Sequence, residues 1–134
     1  MNTFSLTIVT SDGLQFEGQA EELIVRVVSG DLGILAGHIN CVAPLGMGMA
    51  TVIIDGEKRY SACIGGMVRV LDGSVKLVPT TFEWADSIDI ARAKASEERA
   101  KEILRDKSSS DTDIRLAEAR LKRSLIRQSV ARYK

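Results

Sequence analysis

The sequence predicts an α+β protein, with an N-terminal all-β sandwich followed by a C-terminal antiparallel two-helix hairpin. Up to about Pro79, apolar and polar residues alternate with a period of two, which is typical of strands with one buried face. After Trp84, glycine and proline disappear and Ala, Glu, Lys, Arg and Leu dominate, a composition that favours helices. We therefore expect a β-sandwich domain over residues 1–84 and a helical hairpin over residues 85–134.

The first domain carries the signals of short strands joined by tight turns. Residues 4–8 alternate between apolar and polar side chains, and the run Leu23–Val28 and the segment Val42–Met49 add further strand-like stretches. Asp-Gly suits the positive backbone dihedrals of hairpin turns. Three Asp-Gly pairs lie between such runs, at residues 12–13, 55–56 and 72–73. These features predict three hairpins and about eight to ten strands, as in a sandwich or small barrel.

The second domain predicts two helices joined by a polar turn. The first is expected from about Ser87 to Arg105 and the second from about Thr112 to Arg132, with the turn over Asp106–Asp113. Helical spacing predicts one apolar stripe on each helix: Ile88, Ala91, Ala95 and Ile103 on the first, and Ile114, Ala117, Leu121 and Leu125 on the second. Because these stripes are thin and rich in alanine, we expect a hairpin of marginal stability.

The formal net charge of zero conceals two oppositely charged halves. Residues 1–84 hold 5 Lys and Arg against 9 Asp and Glu, whereas residues 85–134 hold 13 against 9. The excess is strongest over Arg115–Lys134, which has seven basic residues and a single acid. Three of the basic residues recur at spacings of three and four: Arg120, Arg123 and Arg127. Like charges on one helical face indicate an acidic or phosphate-bearing partner surface.

Several functional classes are disfavoured by composition. No stretch approaches the roughly 20 apolar residues of a membrane-spanning helix, and the first residues lack the features of a signal peptide. Cys41 and Cys63 show no CxxC spacing and have no histidine cluster nearby, so we expect neither a disulfide nor a metal site. With His38 as the single histidine, we expect no catalytic residues and no enzymatic activity.

Three motifs occur in order along the chain. Residues Gly30–His38 read G-x-x-G-x-L-x-G-H, residues Gly65–Val70 read G-G-x-V-x-V, and residues 88–93 read I-D-x-x-R-A. In these motifs and in domain order, the whole chain resembles the epsilon subunit family of bacterial F-type ATP synthases. Ala36 replaces the proline that this family commonly carries before the Gly-His pair.

This resemblance implies a non-catalytic rotor subunit of the central stalk. In the family, the sandwich binds the gamma subunit and rests on the ring of c subunits, so the loop Asp31–His38 is the expected contact with the ring or gamma. For His38, the residues themselves favour a hydrogen-bonding loop anchor over a direct contact. The implied location is peripheral, on the cytoplasmic side of the cell membrane, with the membrane reached only through the complex.

The resemblance also assigns a regulatory role to the helices. The family's hairpin has a compact form and an extended form that reaches along gamma and inhibits ATP hydrolysis. When extended, the basic tail would meet acidic segments of the alpha and beta subunits. The residues expected in that contact are Arg115, Arg120, Lys122, Arg123 and Arg127.

Some family members bind ATP on the compact hairpin, which makes ATP a candidate regulatory ligand here, with no other cofactor required. The candidate residues are Glu83, Ile88, Asp89, Arg92, Ala93, Arg99, Arg123 and Arg127. Asp89, Arg92 and Arg99 share one helical stripe, and Arg123 and Arg127 lie one turn apart on the second helix. Ordinary ion pairs are the alternative interpretation of these charges. No P-loop is present, so ATP would be sensed and not hydrolysed.

A second functional class, a β-sandwich with a basic hairpin that binds nucleic acid, rests on the same tail. Aligned Lys and Arg can release counterions from a phosphate backbone. However, only 4% of the residues are aromatic, and none forms a stacking platform beside the basic stripe. We therefore expect no nucleic-acid partner, and keep this class as the alternative to the rotor subunit.

Overall fold

Residues 2–134 are described by a computed structural model, in which ten strands precede two helices. The strands are β1 Phe4–Thr10, β2 Gly13–Ala20, β3 Glu22–Val27, β4 Gly30–Leu35, β5 Cys41–Pro44, β6 Met47–Ile54, β7 Glu57–Ile64, β8 Met67–Leu71, β9 Ser74–Val78 and β10 Thr81–Trp84. A single 3-10 turn, Ala85–Ser87, leads to α1 Ile90–Arg105 and α2 Asp111–Ala131. The predicted fold class, a β-sandwich followed by a two-helix hairpin, is confirmed.

The strands form two five-stranded sheets. One has the order β2-β1-β9-β8-β5 and the other the order β10-β7-β6-β3-β4. Neighbouring strands are antiparallel, except that β1 and β9 run parallel. The apolar core consists of residues from Phe4 to Phe82, with Leu6, Ile8 and Leu77 fully buried. The chain divides after Trp84 into two compact units, and the first contains this core.

Two of the three predicted hairpin turns have the expected dihedrals. Asp55-Gly56 and Asp72-Gly73 both adopt positive φ at both residues, which matches the right-handed twist of the adjoining strands. The β1–β2 hairpin is present but is built differently. Thr10 pairs with Gly13, so Ser11-Asp12 forms the turn, and Gly13 with φ +118° begins β2. The hairpin predicted at Asp12-Gly13 is therefore present, but Ser11-Asp12 and not Asp12-Gly13 forms the turn.

Both helices begin at side-chain caps. Asp89 caps α1 by accepting a hydrogen bond from the backbone N–H of Arg92, so α1 starts later than the expected Ser87. Ser110 and Asp113 form a reciprocal capping box at the start of α2. In the intervening loop, the hydroxyl and backbone N–H of Ser108 donate to the Asp106 carboxylate and lower its pKa.

The predicted apolar stripes of the helices are confirmed in part: Ile88 and Ala117 are buried and Ile103, Ile114 and Leu121 are half-buried, but the other three residues are not. Ala91 and Ala95 are exposed, and Leu125 is 48% exposed. The buried helical residues are instead mostly small and recur at intervals of seven: Ala93 and Ala100 on α1, and Ala117, Ser124 and Ala131 on α2, with Val130 beside them. Small side chains let two helices approach closely, so the larger apolar residues lie at the edges of the contact.

Candidate functional site

The hairpin is held in register by polar contacts between its helices. Glu97 accepts a hydrogen bond from Gln128 Nε2 at 2.8 Å, and Lys134 Nζ donates to the Ile88 carbonyl at 3.4 Å. These contacts place the start of α1 beside the end of α2. Lys101 Nζ lies 2.6 Å from the other Glu97 oxygen. The Lys101 contact, followed by the Gln128 hydrogen bond, lowers the pKa of Glu97, while Glu97 raises the pKa of Lys101.

Two arginines of α1 lie on the edge away from Glu97. The buried Ala93 and Ala100 separate two edges of α1. Because successive residues of an α-helix are about 100° apart, Glu97 lies on one edge and Arg92 and Arg99 lie on the other. Both arginines are exposed, and they lie about 10 Å apart along the helix axis.

Two arginines of α2 lie on the corresponding edge. The buried Ser124 likewise separates two edges of α2. Gln128 lies on one edge, and Arg123 and Arg127 lie on the other. Because Gln128 contacts Glu97, the two edges that carry the arginines also lie side by side. In this alignment Arg99 of α1 is level with the helical turn between Arg123 and Arg127 of α2. We call this group of four guanidinium side chains the arginine edge: Arg92, Arg99, Arg123 and Arg127.

Three of the four arginines of the arginine edge form no ion pair within the described residues. Within residues 2–134 the recorded ion pairs join Arg26 to Asp31, and Lys101 and Arg105 to glutamates of α1; none involves Arg92, Arg99 or Arg123. Arg127 is half-buried. Guanidinium groups clustered in this way favour a polyanion, since each can donate two hydrogen bonds to a phosphate.

The remaining candidate ATP residues divide into three groups. Ile88 and Ala93 are 3% and 0% exposed, so neither side chain is presented at the surface for a ligand. The Asp89 carboxylate serves as the α1 cap, its Oδ1 lying 3.0 Å from the Arg92 backbone nitrogen. Glu83 lies on β10 opposite Ala62, in the sandwich unit, and is half-buried.

The segment expected to be one loop, Asp31–His38, is half strand. Asp31–Leu35 belongs to β4, an edge strand, and only residues 36–40 form the connection to β5. Asp31 pairs with Arg26 at 2.9 Å, whereas His38 Nδ1 donates to the Ile39 carbonyl at 2.8 Å. The four-residue rise from Asp31 to Leu35 is about 13 Å, so Asp31 and the 36–40 loop lie toward opposite ends of β4.

The basic residues of the tail form two surfaces instead of one. Arg120 lies on the same side of α2 as the arginine edge, whereas Arg115 and Lys122 lie on the side opposite Ala117 and Ser124. Arg115, Arg120 and Lys122 are all exposed. Both surfaces are therefore free within the hairpin to meet acidic partners.

The sequence reasoning missed two polar contacts. The Glu97–Gln128 contact joins residues 31 positions apart, and only the i,i+4 spacing of Glu97 and Lys101 gave a local signal. Asn40 and Asp72 are joined by two hydrogen bonds between separate loops, and no local pattern indicates them.

Other site chemistries find little support in the described part of the chain. No group of three or more His, Cys, Asp or Glu residues able to hold a metal ion occurs among residues 2–134. Within the same residues, neither helix is long and apolar enough to cross a bilayer. Both cysteines are free; burial raises the pKa of Cys63 to about 12, so its thiol is kept protonated and unreactive.

Comparison with known families assigns both units. Residues 3–85 match the β-sandwich domain of the ATP synthase delta/epsilon chain, and residues 86–132 match the long α-helix domain of the same chain. The chain belongs to the ATP synthase delta/epsilon chain family. It is therefore a non-catalytic subunit of ATP synthase, and this family membership displaces the nucleic-acid-binding alternative.

Similar members of the delta/epsilon family match along their whole length. The ATP synthase epsilon chain of Bacillus velezensis is 44% identical over 131 residues, covering 98% of each chain. That of Ruminococcus albus is 41% identical and covers 100% of both chains. In fold, the chain is similar to one in the Euglena gracilis mitochondrial ATP synthase OSCP/F1/c-ring structure, with a TM-score of 0.82 and 22% identity over 100% of this chain and 83% of that one.

A second solved structure of similar fold is the central stalk/c-ring of the Tetrahymena thermophila mitochondrial ATP synthase. Its TM-score is 0.61 at 13% identity, covering 95% of each chain.

Proposed function

We propose that this subunit belongs to the rotor of a bacterial ATP synthase, where its sandwich docks onto the gamma subunit and the c-ring. The observation that carries the proposal is the division of the chain into a sandwich with its own complete core and a separate helical hairpin. A self-contained sandwich can remain docked while the hairpin changes position. The similar folds found in F1/c-ring and central stalk/c-ring assemblies support these partners.

The hairpin restrains ATP hydrolysis when it extends toward the alpha and beta subunits. Its helices meet through alanine and serine side chains, which bury little apolar area, so a modest interaction energy elsewhere can compete with the compact form. In the extended form, the exposed Arg115, Arg120 and Lys122 pair with acidic segments of alpha and beta. The whole chain stays peripheral on the cytoplasmic face of the membrane and reaches the bilayer only through the complex.

ATP stabilises the compact form by binding along the arginine edge. Arg99, Arg123 and Arg127 surround the phosphates. Arg92 lies about two turns nearer the start of α1 than Arg99, within reach of an extended nucleotide. Ile88 and Ala93 are buried, so they contribute by packing α1 and not by touching the nucleotide. Because the four guanidiniums repel one another in the compact hairpin, an anion that binds between them stabilises this form selectively.

The docking proposal is tested by reconstitution. The full-length chain is mixed with a purified complex of gamma and the c-ring, and the mixture is separated by size. Co-elution at equimolar ratio is expected, and elution of the chain alone would contradict the rotor assignment.

The ATP proposal is tested by titration calorimetry of ATP into the full-length chain. Binding is expected for the unaltered chain, and Arg99→Ala and Arg123→Ala should each weaken it about tenfold or more, since a hydrogen bond to a charged group contributes about 1.5–3 kcal/mol. Lys122→Ala is the matched control, because Lys122 adjoins Arg123 but lies about 100° further around α2, on the face opposite the buried Ser124. Absence of heat at millimolar ATP, or an equal loss in Lys122→Ala, would contradict the site.

A further inference from the structure

Two hydrogen bonds join the 36–40 loop to the β8–β9 turn at one end of the sandwich. The backbone N–H of Asp72 donates to Asn40 Oδ1 at 2.8 Å, and Asn40 Nδ2 donates to Asp72 Oδ1 at 3.2 Å. The two residues are 32 positions apart, and both are exposed. We call this pair of contacts the Asn40–Asp72 brace.

The Asn40–Asp72 brace lies among exposed apolar side chains. Ile39, next to Asn40, is 77% exposed, and Leu71, next to Asp72, is 46% exposed. Leu35, whose carbonyl accepts the backbone N–H of His38 at 3.1 Å, is 57% exposed. Three large apolar residues are thus presented at the same end of the sandwich, with Ile39 in the 36–40 loop and Leu35 and Leu71 at the last positions of β4 and β8. Without the brace, the 36–40 loop and the β8–β9 turn would be joined only through the pairing of β5 with β8.

We infer that the Asn40–Asp72 brace is a positioning element that fixes the spacing of Ile39 and Leu71 for contact with the c-ring. This inference rests on the proposed docking of the sandwich onto the ring. It assigns the ring contact to the 36–40 loop and not to Asp31 at the start of β4. Asp31 is engaged with Arg26 on the strand, toward the other end of β4. Holding both loops before docking lowers the entropy lost on binding.

The geometry of the brace also explains why its residues are polar on such an apolar surface. Asp72 adopts φ +49°, a conformation that Asp and Asn tolerate better than other side-chain-bearing residues. Its backbone N–H is then directed at Asn40, and the Asn40 amide is able both to accept this hydrogen bond and to donate to the Asp72 carboxylate. Residue types that only accept or only donate cannot form both contacts.

Side-chain exchange at the two positions tests the brace. Asp72→Asn keeps both hydrogen bonds, because the new side-chain carbonyl still accepts from Asn40. Asn40→Asp places two carboxylates in contact and removes one donor. The double variant Asn40→Asp with Asp72→Asn restores a donor on the other side. A brace therefore predicts normal behaviour in the Asp72→Asn and double variants, and failure only in Asn40→Asp.

The measurement is the affinity of full-length variants for ATP synthase depleted of this subunit. Asn40→Asp is expected to bind about tenfold or more weakly, with Asp72→Asn and the double variant within about threefold of the unaltered chain. Amide exchange at residues 37–40 should accelerate only in Asn40→Asp, with the thermal stability of the sandwich unchanged. If the double variant binds as weakly as Asn40→Asp, or if all variants bind alike, the brace has no positioning role.

A separate variant distinguishes failure of the brace from failure of the docking proposal. Ile39→Ser changes a side chain that is 77% exposed, so it should leave folding intact and weaken binding to the depleted complex. If Ile39→Ser binds normally, this end of the sandwich does not contact the ring. If Ile39→Ser binds weakly but Asn40→Asp binds normally, docking stands and the brace is refuted.

Discussion

Substitution of Gly66 by alanine should destabilise the sandwich strongly. Gly66 has φ +91°, and a Cβ added to it would lie 2.0 Å from the Val78 carbonyl oxygen and 2.6 Å from Pro79 Cα. Both are backbone atoms, so neither can move away by changing rotamer. The left-handed conformation costs an alanine about 1–2 kcal/mol, and overpacking against fixed atoms about 1–3 kcal/mol. We expect Gly66→Ala to lower the free energy of unfolding by about 2–5 kcal/mol.

Gly73→Ala is the matched control, because Gly73 has φ +82° but no atom within 4 Å of its added Cβ. Its loss should therefore be limited to about 1–2 kcal/mol. The assay is urea unfolding of the full-length chain followed by the fluorescence of Trp84, the single tryptophan. Trp84 packs against Phe82 with ring centroids 4.9 Å apart and lies beneath Arg59, so it reports on the sandwich. If both variants lose equal stability, close backbone approach at Gly66 is not the cause.

Three further predictions concern the helices and the thiols. The lowered pKa of Glu97 means that its contacts stabilise the hairpin above about pH 4.3 and are lost as pH falls through the folded-state pKa. The difference in helix melting between the unaltered chain and Lys101→Ala should thus be full near about pH 6 and vanish in stronger acid. Ala100→Leu should lower the free energy of hairpin opening by about 1–3 kcal/mol, because it overpacks a buried position. Ala95→Leu, on the exposed face, should change this free energy by less than about 0.5 kcal/mol. Amide exchange measures both. An alkylating reagent should not modify Cys63 in the native protein at about pH 8, as judged by mass spectrometry, since burial keeps its thiol protonated.

For each of these three predictions, a specific result would contradict the physical reason given. A melting difference for Lys101→Ala that persists in strong acid would show that the Glu97 charge is irrelevant. Equal effects of Ala100→Leu and Ala95→Leu would place the helix contact elsewhere. Modification of Cys63 before global unfolding would show that β7 opens locally.

Most of the sandwich could be predicted from the sequence because its signals are local. Period-two alternation and Asp-Gly turns act over a few residues, so Asp55-Gly56 and Asp72-Gly73 were identified correctly. The Ser11-Asp12 turn was missed because a bulge between Ile8 and Val9 changes the β1–β2 register. The same limit made Asp31–Leu35 look like a loop, since its pairing with β3 is not visible in glycine-rich sequence.

The helices were predicted in position, and their buried faces only in part. Their composition and the caps Asp89 and Ser110 fix where they lie along the chain. Apolar periodicity identified the buried Ala117 but missed Ala100 and Ser124, because close approach selects small residues over larger ones. The arginine edge could be anticipated from spacing alone, whereas the Glu97–Gln128 contact that aligns the helices depends on the fold.

In the proposed function, a docked sandwich carries a separate hairpin that restrains hydrolysis. The most direct test measures the ATP hydrolysis rate of two assembled ATP synthase complexes. One contains the whole chain, and the other contains a chain that ends at Trp84, where the two units divide. The shortened chain is expected to assemble still, and hydrolysis is expected to become faster. An assembled complex with an unchanged rate would contradict the restraining role of the helices.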